Sequence, residues 1–173
     1  MFPSVSSTVT QLEFRQALGC FATGVTVITT DLGDGRVHAM TANAFSSLSL
    51  DPPTVMIALD CRSHMHRFLK QRGHFGVSIL GQGQIALARY FAGSYQGQLA
   101  EQPFEFACDH GYPLVPDAVA FLLCRVVQTH AAGDHTLFIG LVTFTERRKT
   151  TETKSPLLFY RSSFVSLEER SEP

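Results

Sequence analysis

The stretches AVAFLLCRVVQTHA (118–131) and HTLFIGLVTFTE (135–146), joined by a short Ala-Gly-Asp turn, decide the fold of this chain. Both stretches are rich in β-branched and aromatic residues and have the length of long strands. Gly133 and Asp134 in the turn are residue types that tight connections favour. The sequence therefore predicts an antiparallel hairpin, because strands joined by so short a connection pair in opposite directions.

Shorter periodic segments surround this hairpin. Apolar runs and alternating patterns predict strands over residues 25–30, 37–42, 54–60, 74–80 and 156–161, and helical spacing predicts helices over 10–22, 64–72 and 84–92. Residues 93–117, rich in Gly and Pro, are expected to form a long loop with short extended pieces. Because the strands follow one another more often than they alternate with helices, the predicted fold class is mainly β with short helices, built as an antiparallel barrel.

The composition and net charge of the chain indicate its location and argue against some classes of partner. The 173 residues carry 14 Lys and Arg against 15 Asp and Glu, so a net charge of -1 offers no field for nucleic acid or an anionic membrane. No run approaches the roughly 20 apolar residues of a membrane span. The first 14 residues contain neither the basic region nor the long apolar stretch of a signal peptide. We expect a cytoplasmic protein with one domain over residues 10–167 and flexible ends at 1–9 and 168–173.

The four cysteines lie far apart and form no C-x-x-C pair, which argues against a metal site or a redox couple. Buried free thiols are the expected state of Cys20, Cys61, Cys108 and Cys124.

Residues 81–86 (GQGQIA) match the G-x-G-x-x-A pattern of dinucleotide-binding turns and lie between a predicted strand and a predicted helix. The strand before such a turn is parallel and apolar throughout, whereas residues 74–80 alternate. No second parallel strand ending in an acidic residue follows. We therefore interpret the pattern as a chance match.

The segment MTANAFSSLS (40–49) concentrates short polar side chains between two predicted strands. These groups suit the ring edge or phosphate of a cofactor, although a solvated turn has the same composition. Ser63, at a predicted helix start, is either part of an anion site or a plain N-cap. Arg89 would reach a phosphate or point into solvent. His135 follows the hairpin turn, where an imidazole could contact a carboxamide or a ring, although most single histidines have no such role.

Taken together, five segments resemble the short-chain flavin reductases, the reductase components of two-component flavin-dependent monooxygenases. They follow the order of that family and cover most of the chain: FRQALGCFATGVTVIT (14–29), MTANAFSSLSLDPPTVMIAL (40–59), HFGVSILGQGQIALARYFAG (74–93), GDHTLFIG (133–140) and PLLFYRSSF (156–164). The resemblance implies a flavin-binding split β-barrel, antiparallel with Greek-key-like connections. It also implies a homodimer with the flavin near the subunit interface.

The same resemblance implies roles for individual residues. Ser63 and Arg89 would hold phosphate, His135 would meet the nicotinamide, and Tyr160 would lie close to the ring system. The sequence Ser63-His64-Met65 replaces the serine-x-threonine pair of many members and is similar to the styrene monooxygenase reductase type, which works with FAD. The isoalloxazine and ribityl chain would be lined by Thr41, Ala42, Asn43, Ser46 and Ser47.

The implied function is hydride transfer from NADH or NADPH to N5 of FMN or FAD, followed by release of the reduced flavin to a partner monooxygenase. This chemistry requires two stacked rings and no protein nucleophile or metal. Two alternatives stay open. One is an oxidoreductase of the same fold that retains its flavin and acts on its own substrate. The other is a flavin- or haem-binding module without turnover.

Overall fold

The structure is a computed structural model and describes residues 8–93, 105–109, 111–147, 155–165 and 167. Its strands are β1 (Thr23–Gly24), β2 (Thr26–Asp31), β3 (Val37–Ala42), β4 (Phe45–Leu50), β5 (Pro53–Asp60), β6 (His74–Ile79), β7 (Ala107–Asp109), β8 (Tyr112–Leu114), β9 (Ala120–Ala132), β10 (His135–Arg147), β11 (Leu158–Tyr160) and β12 (Ser163–Val165). The helices are α1 (Gln11–Gly19), α2 (His64–Arg72) and α3 (Ile85–Gly93).

Seven strands form the main sheet, in the order β3-β2-β6-β9-β10-β5-β4. Every pair of neighbours in this sheet is antiparallel. The hairpin of β9 and β10 lies near its centre and pairs from His135↔Ala132 to Arg147↔Ala120. The predicted hairpin and the mainly β, antiparallel fold class are therefore confirmed.

The main sheet curls round one apolar core. Ala42 on one edge strand, Ile57 and Phe138 near the other edge, and Phe75 in the middle belong to the same buried cluster. The edge strands β3 and β4 follow each other in the chain, yet no ladder joins them. The sheet thus has a split at this point, and residues on both sides of the split lie close together.

Helices α2 and α3 pack on this sheet, and local capping residues explain where α2 begins and ends. Ser63 caps α2 and accepts a hydrogen bond from the His66 backbone N–H, while Gly73 ends the helix in the left-handed conformation. Met65 and Leu69 are the buried apolar residues of α2, and α3 contributes Ala88 and Phe91 to a second cluster. These buried side chains fix both helices against the sheet.

Helix α1 differs from the other two. Thr10 and Glu13 form a capping box, but the helix ends at Gly19, earlier than the predicted end at residue 22. None of its residues is buried, and Phe14 and Leu18 are more than half exposed. Its apolar stripe therefore faces away from the described core.

Two further expectations need correction. Residues 45–50 form strand β4, which the density of serines had concealed. Cys20 and Cys61 are exposed free thiols, whereas Cys124 is buried as expected. The side chain of Cys108 lies outside the described residues, as do residues 1–7 and 168–173 of the predicted flexible ends and residues 94–104 of the predicted loop.

Residues 81–86 do not form a dinucleotide-binding turn, as interpreted from the sequence. The preceding strand, β6, is antiparallel to both β2 and β9. Gln82–Gln84 form a short 3-10 turn before α3. In the part of the chain that the structure describes, no helix is both long and apolar enough to cross a bilayer.

Candidate functional site

Asn43 and Ala44 bridge the split between β3 and β4. The Phe45 backbone N–H donates to the Asn43 carbonyl at 2.9 Å, and the Ala58 N–H donates to the Ala44 carbonyl at 3.1 Å. These bonds tie the connection to β5 and leave the Asn43 side chain exposed. The polar segment singled out in the sequence is thus an ordered edge rather than a free turn.

A cleft of about 500 Å³ opens at this split and extends under α1. Its apolar walls come from Leu18, Phe21, Phe45, Met56 and Phe159. Its polar lining includes Thr23, Asn43 and Ser46, and its charged group is Arg15. A volume of this size with apolar walls and a few convergent polar groups is typical of small-molecule sites.

The polar groups of the cleft are weakly satisfied by the protein. The Ser46 hydroxyl donates to the neighbouring Ser47 carbonyl at 3.2 Å, and both serines are exposed. The Thr23 hydroxyl is closed to solvent and has no hydrogen-bond partner among the described residues. An unpaired hydroxyl of this kind costs about 1–3 kcal/mol, and a ligand with a polar atom within reach of it would offset this cost.

Thr41 and Ala42 hold the edge strand in place. The Thr41 hydroxyl donates to the Ala88 carbonyl of α3 at 2.8 Å. The Ala42 carbonyl accepts from the Thr26 hydroxyl at 2.7 Å, and Ala42 is buried. Of the predicted ring-lining residues, these two have their polar groups committed to neighbouring elements.

The start of α2 and the start of β10 form a second group of predicted residues, which we call the α2–β10 junction (residues 60–66 and 134–136). Ser63 is only 5% exposed, and its hydroxyl accepts from the His66 N–H at 3.1 Å. The Cys61 N–H donates to the Asp134 carbonyl at 3.0 Å, which ties the loop before α2 to the hairpin turn. His66 Nε2 and Thr136 Oγ1, both buried, share a hydrogen bond of 3.0 Å.

The electrostatics of the junction favour the neutral form of its buried histidine. Burial, reinforced by the positive charge of Lys70, lowers the pKa of His66, although Asp60 acts in the opposite direction. The His66 ring also meets Phe138 edge-on, with ring centroids 5.6 Å apart. The junction is therefore a packed and hydrogen-bonded unit.

His135 is a half-exposed histidine of this junction. It lies opposite Asp60 in the β5–β10 ladder, and 43% of its side chain is exposed. Its Nδ1 lies 2.7 Å from the Asp134 carboxylate, and this hydrogen bond together with the His135 charge lowers the pKa of Asp134. The outer part of the imidazole is left accessible to a ligand.

With this geometry established, the comparisons with known proteins decide the family. The family described as flavin reductase like domain matches residues 18–168. This chain belongs to that family. The match covers the split, the cleft walls from β3 to β5 and the whole α2–β10 junction.

Individual members of the flavin reductase family are close to this chain. It is 42% identical over 164 residues to an NADH-dependent flavin reductase of a Rhodococcus species, covering 92% of this chain and 88% of that one. The solved flavin reductase PheA2 is 40% identical with a TM-score of 0.84, covering 93% of this chain and all of that chain. The styrene monooxygenase flavin reductase of Pseudomonas putida S12 is 39% identical with a TM-score of 0.81, covering 90% and 97%.

Within the flavin reductase fold, the predicted residues fall into two groups. Asn43 and Ser46 line the cleft, and Ser47 follows on the same strand. Ser63 and His135 lie at the junction, at the other end of β5. Because Ser46 pairs with Met56 and His135 with Asp60, the backbones of the two groups are separated by about 13 Å along β5.

Arg89 and Tyr160 contact other side chains. The Arg89 guanidinium lies 6.0 Å from the centroid of the Phe164 ring and is exposed. Arg161 lies over Tyr160 at 5.2 Å, while the preceding residue, Phe159, lines the cleft. Side chains of successive strand residues point to opposite faces, so Phe159 has the position nearer the cleft.

Sequence reasoning missed several residues of the site. Thr23 and Phe159 belong to short strands that pair with each other, so their proximity depends on a long-range contact. Arg15 could have been noticed in the sequence, since it is a single basic residue within the apolar pattern of α1. His66 carries no local signal, because its bond to Thr136 spans 70 residues of chain.

Proposed function

We propose that this chain is an NADH-dependent flavin reductase that transfers a hydride from NADH to FMN or FAD. The observation that carries the proposal is the cleft at the β3–β4 split, where exposed amide and hydroxyl groups and an unpartnered hydroxyl meet apolar walls. Family membership and the name of the Rhodococcus relative support the same activity. A bound flavin supplies the hydride-accepting ring, and the protein supplies position and environment.

The cleft orients the ring system in this proposal. Asn43, Ser46 and Ser47 hydrogen-bond the polar edge of the flavin, while Phe45 and Met56 exclude water from its face. Thr41 and Ala42 lie beside the ring in this proposal and hold the edge strand in place, since the Thr41 hydroxyl and the Ala42 carbonyl are bonded to neighbouring elements. A pocket lined mainly by neutral groups, with Arg15 as its charged residue, gives modest affinity, which suits a flavin that must leave.

Phosphate is held at the start of α2. Because the Ser63 hydroxyl already caps the helix, the backbone N–H groups of the first turn and the helix dipole provide the attraction. Arg89 is exposed, and its contact among the described residues is with the Phe164 ring, so its guanidinium can turn to the phosphate. FAD and FMN both offer such a group.

His135 contacts the nicotinamide in this proposal. Its Nδ1 is bonded to Asp134, which fixes the ring and leaves Nε2 to meet the carboxamide. Tyr160 acts on the ring system indirectly in this proposal. It lies on β11, the strand that places Phe159 in the wall of the cleft. We assign no proton transfer to either residue.

The proposed partners are a second copy of the chain and a monooxygenase. Phe14, Leu18 and Phe21 recur at helical spacing and are exposed, which suits burial in a homodimer. The name of the Pseudomonas putida S12 relative links it to a styrene monooxygenase, and a flavin-dependent monooxygenase is the consumer we propose here. We further propose a cytoplasmic location and one domain over residues 10–167.

The test is the oxidation of NADH by purified protein, followed by its absorbance, without flavin and then with excess FMN, FAD or riboflavin. Turnover that depends on added flavin is expected. Turnover without added flavin, together with flavin that copurifies and survives dilution, would favour a retained cofactor. Flavin binding without any NADH or NADPH oxidation would leave only the binding module.

A further inference from the structure

Asp60 is the last residue of β5 and lies directly opposite His135, the first residue of β10, in the ladder between these strands. Side chains opposite each other in an antiparallel pair share one face of the sheet, with Cβ atoms about 4.5–5.5 Å apart. Only 14% of the Asp60 side chain is exposed, against 43% of the His135 side chain. The sheet thus places a largely covered carboxylate beside the imidazole.

The turn that leads into α2 holds this carboxylate in place. Its Oδ1 accepts from the Arg62 backbone N–H at 2.7 Å, and its Oδ2 accepts from the Arg62 guanidinium at 2.7 Å. The side chain of Arg62 is 79% exposed, so water screens the guanidinium more strongly than the carboxylate. The negative charge of this pair is therefore felt more strongly within the α2–β10 junction than the positive charge.

The charge of Asp60 reaches the other titratable groups of the junction. The hydrogen bond and the charge of His135 lower the pKa of Asp134, and Asp60 acts in the opposite direction. Burial and the charge of Lys70 lower the pKa of His66, and Asp60 opposes this shift as well. Two carboxylates, those of Asp60 and Asp134, thus lie close to His135 and give its surroundings a negative potential.

The proposed reaction changes the charge of the nicotinamide ring. The C4–H bond of NADH breaks and both of its electrons leave with the hydride, which forms the N5–H bond of the flavin. The neutral dihydropyridine becomes the positively charged pyridinium of NAD⁺, and the flavin gains the corresponding negative charge. A fixed negative group near the nicotinamide stabilises this positive charge as it develops, so it lowers the barrier without tightening the binding of neutral NADH.

We propose that Asp60 is a positioning residue, which places a negative charge beside His135 and thereby favours the positive charge that hydride loss creates on the nicotinamide. The proposal rests on the proposed function, because it requires NADH to lie against His135. Asp134 contributes a charge of the same sign, but its hydrogen bond also orients the imidazole. The Asp60 carboxylate is bonded to Arg62, so its charge can be removed while the bond between Asp134 and His135 stays intact.

The direct test compares two ligands that differ in the charge of the ring: NAD⁺ and tetrahydro-NAD, a redox-inert analogue whose ring is neutral. Calorimetric titration of the full chain, saturated with FMN or FAD, measures the dissociation constant of each. In Asp60→Asn the amide oxygen can still accept from the Arg62 N–H, but the negative charge is gone. We expect NAD⁺ to bind about fivefold more weakly, which is the size of effect expected of one partly screened charge, and tetrahydro-NAD to bind as to the wild type.

Asp34→Asn is the matched control. Asp34 makes the same local bonds as Asp60, because it accepts from the backbone N–H of Arg36 at 3.1 Å and pairs with the Arg36 guanidinium, but it lies in the β2–β3 turn. This variant should change neither dissociation constant. Equal weakening of both ligands in Asp60→Asn would give Asp60 a merely structural role and overturn the proposal, as would an unchanged affinity for NAD⁺.

Arg62→Gln reverses the expected sign. The variant removes the positive charge that partly compensates Asp60, so the preference for NAD⁺ over tetrahydro-NAD should rise by about twofold, less than the effect at Asp60 because the guanidinium is exposed. Both ligands carry the same phosphates, so any loss of a phosphate contact cancels in the ratio of their affinities. An unchanged or lower preference for NAD⁺ would contradict a role for charge.

Single-turnover reduction of the bound flavin by NADH measures the consequence for the reaction. Asp60→Asn should slow flavin reduction at saturating NADH by about fivefold and leave the KM for NADH nearly unchanged. A raised KM with an unchanged rate would contradict the proposal. Absence of NADH oxidation by the wild type would count against the proposed function, whereas the affinities for NAD⁺ and tetrahydro-NAD judge the charge at Asp60 itself.

Discussion

The cleft and the α2–β10 junction lie towards opposite ends of β5 and differ in how their polar groups are satisfied. At the junction, Ser63, His66 and Thr136 bond to one another or to adjacent backbone, and all three are buried. At the cleft, Asn43 is exposed and the Thr23 hydroxyl has no partner among the described residues. The protein therefore completes one end of the site by itself and leaves the other to a ligand.

The difference has an energetic meaning. A buried hydrogen bond adds only about 0.5–1.5 kcal/mol to stability, but removing one of its partners costs about 1–3 kcal/mol. Substitutions at the junction should thus act on the stability of the free protein. Substitutions at the cleft should act on ligand binding and leave stability unchanged or improved.

The largest expected effect concerns His38, which lies on β3 beneath α2. Burial, followed by the nearby charges of His64 and Arg67, lowers the pKa of His38 to about 4. Because the unfolded chain binds this proton near pH 6.5 and the folded chain does not, stability contributed by neutral His38 is complete above pH 6.5. It is lost as the pH falls towards 4, by an amount on the order of 3 kcal/mol.

Urea unfolding at several pH values between 7 and 4.5 measures this effect. His38→Phe, which preserves a ring against Phe68, should flatten the pH dependence, whereas His130→Phe on the exposed surface should not. His66, which is also buried, keeps part of the slope because burial lowers its pKa as well. A slope in His38→Phe as steep as in the wild type would mean that the α2 side does not depend on a neutral histidine at position 38.

The next effect is the loss of the bond between His66 and Thr136. Thr136→Val retains the shape of the side chain but leaves His66 Nε2 buried without its partner, so we expect a destabilisation of about 2 kcal/mol. Thr129→Val, the same change at an exposed strand position, should cost less than about 0.5 kcal/mol. Adding His66→Phe to Thr136→Val should recover part of the loss. Purely additive losses would show that the two side chains are not coupled.

Substitution of His135 tests whether the α2–β10 junction, whose buried polar groups are satisfied within the protein, also contacts a ligand. His135→Ala removes a half-exposed ring and should change stability little, but it should raise the KM for NADH about tenfold, which corresponds to 1.4 kcal/mol. The KM for flavin should rise much less. His130→Ala, on the same hairpin, is the control and should leave both constants unchanged. Equal increases in both constants for His135→Ala would remove its assignment to the nicotinamide.

Much of the completed end could be predicted from the sequence. Ser63 was predicted as a helix cap because its residue type and the following pattern are local signals, and α2 has the predicted bounds of 64–72. The hairpin of β9 and β10 was equally clear, since both strands are long and meet at a short turn. Local periodicity and capping determine these features, and they therefore leave a trace in consecutive residues.

The open end was harder to predict for physical reasons. Strand β4 contains three serines and was interpreted as a polar segment. It is an edge strand beside the split, and most of its residues are exposed, so it has little of the apolar alternation that predicts a strand. The cleft brings α1, β1, β4 and β11 together, and no local spacing encodes such contacts. Of its residues, Asn43 and Ser46 were singled out by the polar composition of residues 40–49 and by the resemblance to the family, and Thr23 and Arg15 were not found at all.

The smallest effect in free energy is also the sharpest test of the comparison. Thr23→Val replaces an unpartnered buried hydroxyl by a methyl group of nearly the same size, so the ligand-free protein should become more stable by about 1 kcal/mol. Flavin binding should weaken in the same variant, because a hydroxyl that the ligand satisfies is gone. Thermal melting of the flavin-free chain and fluorescence titration with FMN or FAD measure the two effects separately. Thr23→Ser, which retains the hydroxyl, should bind flavin nearly as the wild type does. Opposite signs in Thr23→Val indicate a group held in reserve for a ligand, whereas a loss of both stability and affinity would make Thr23 a structural residue like Thr136.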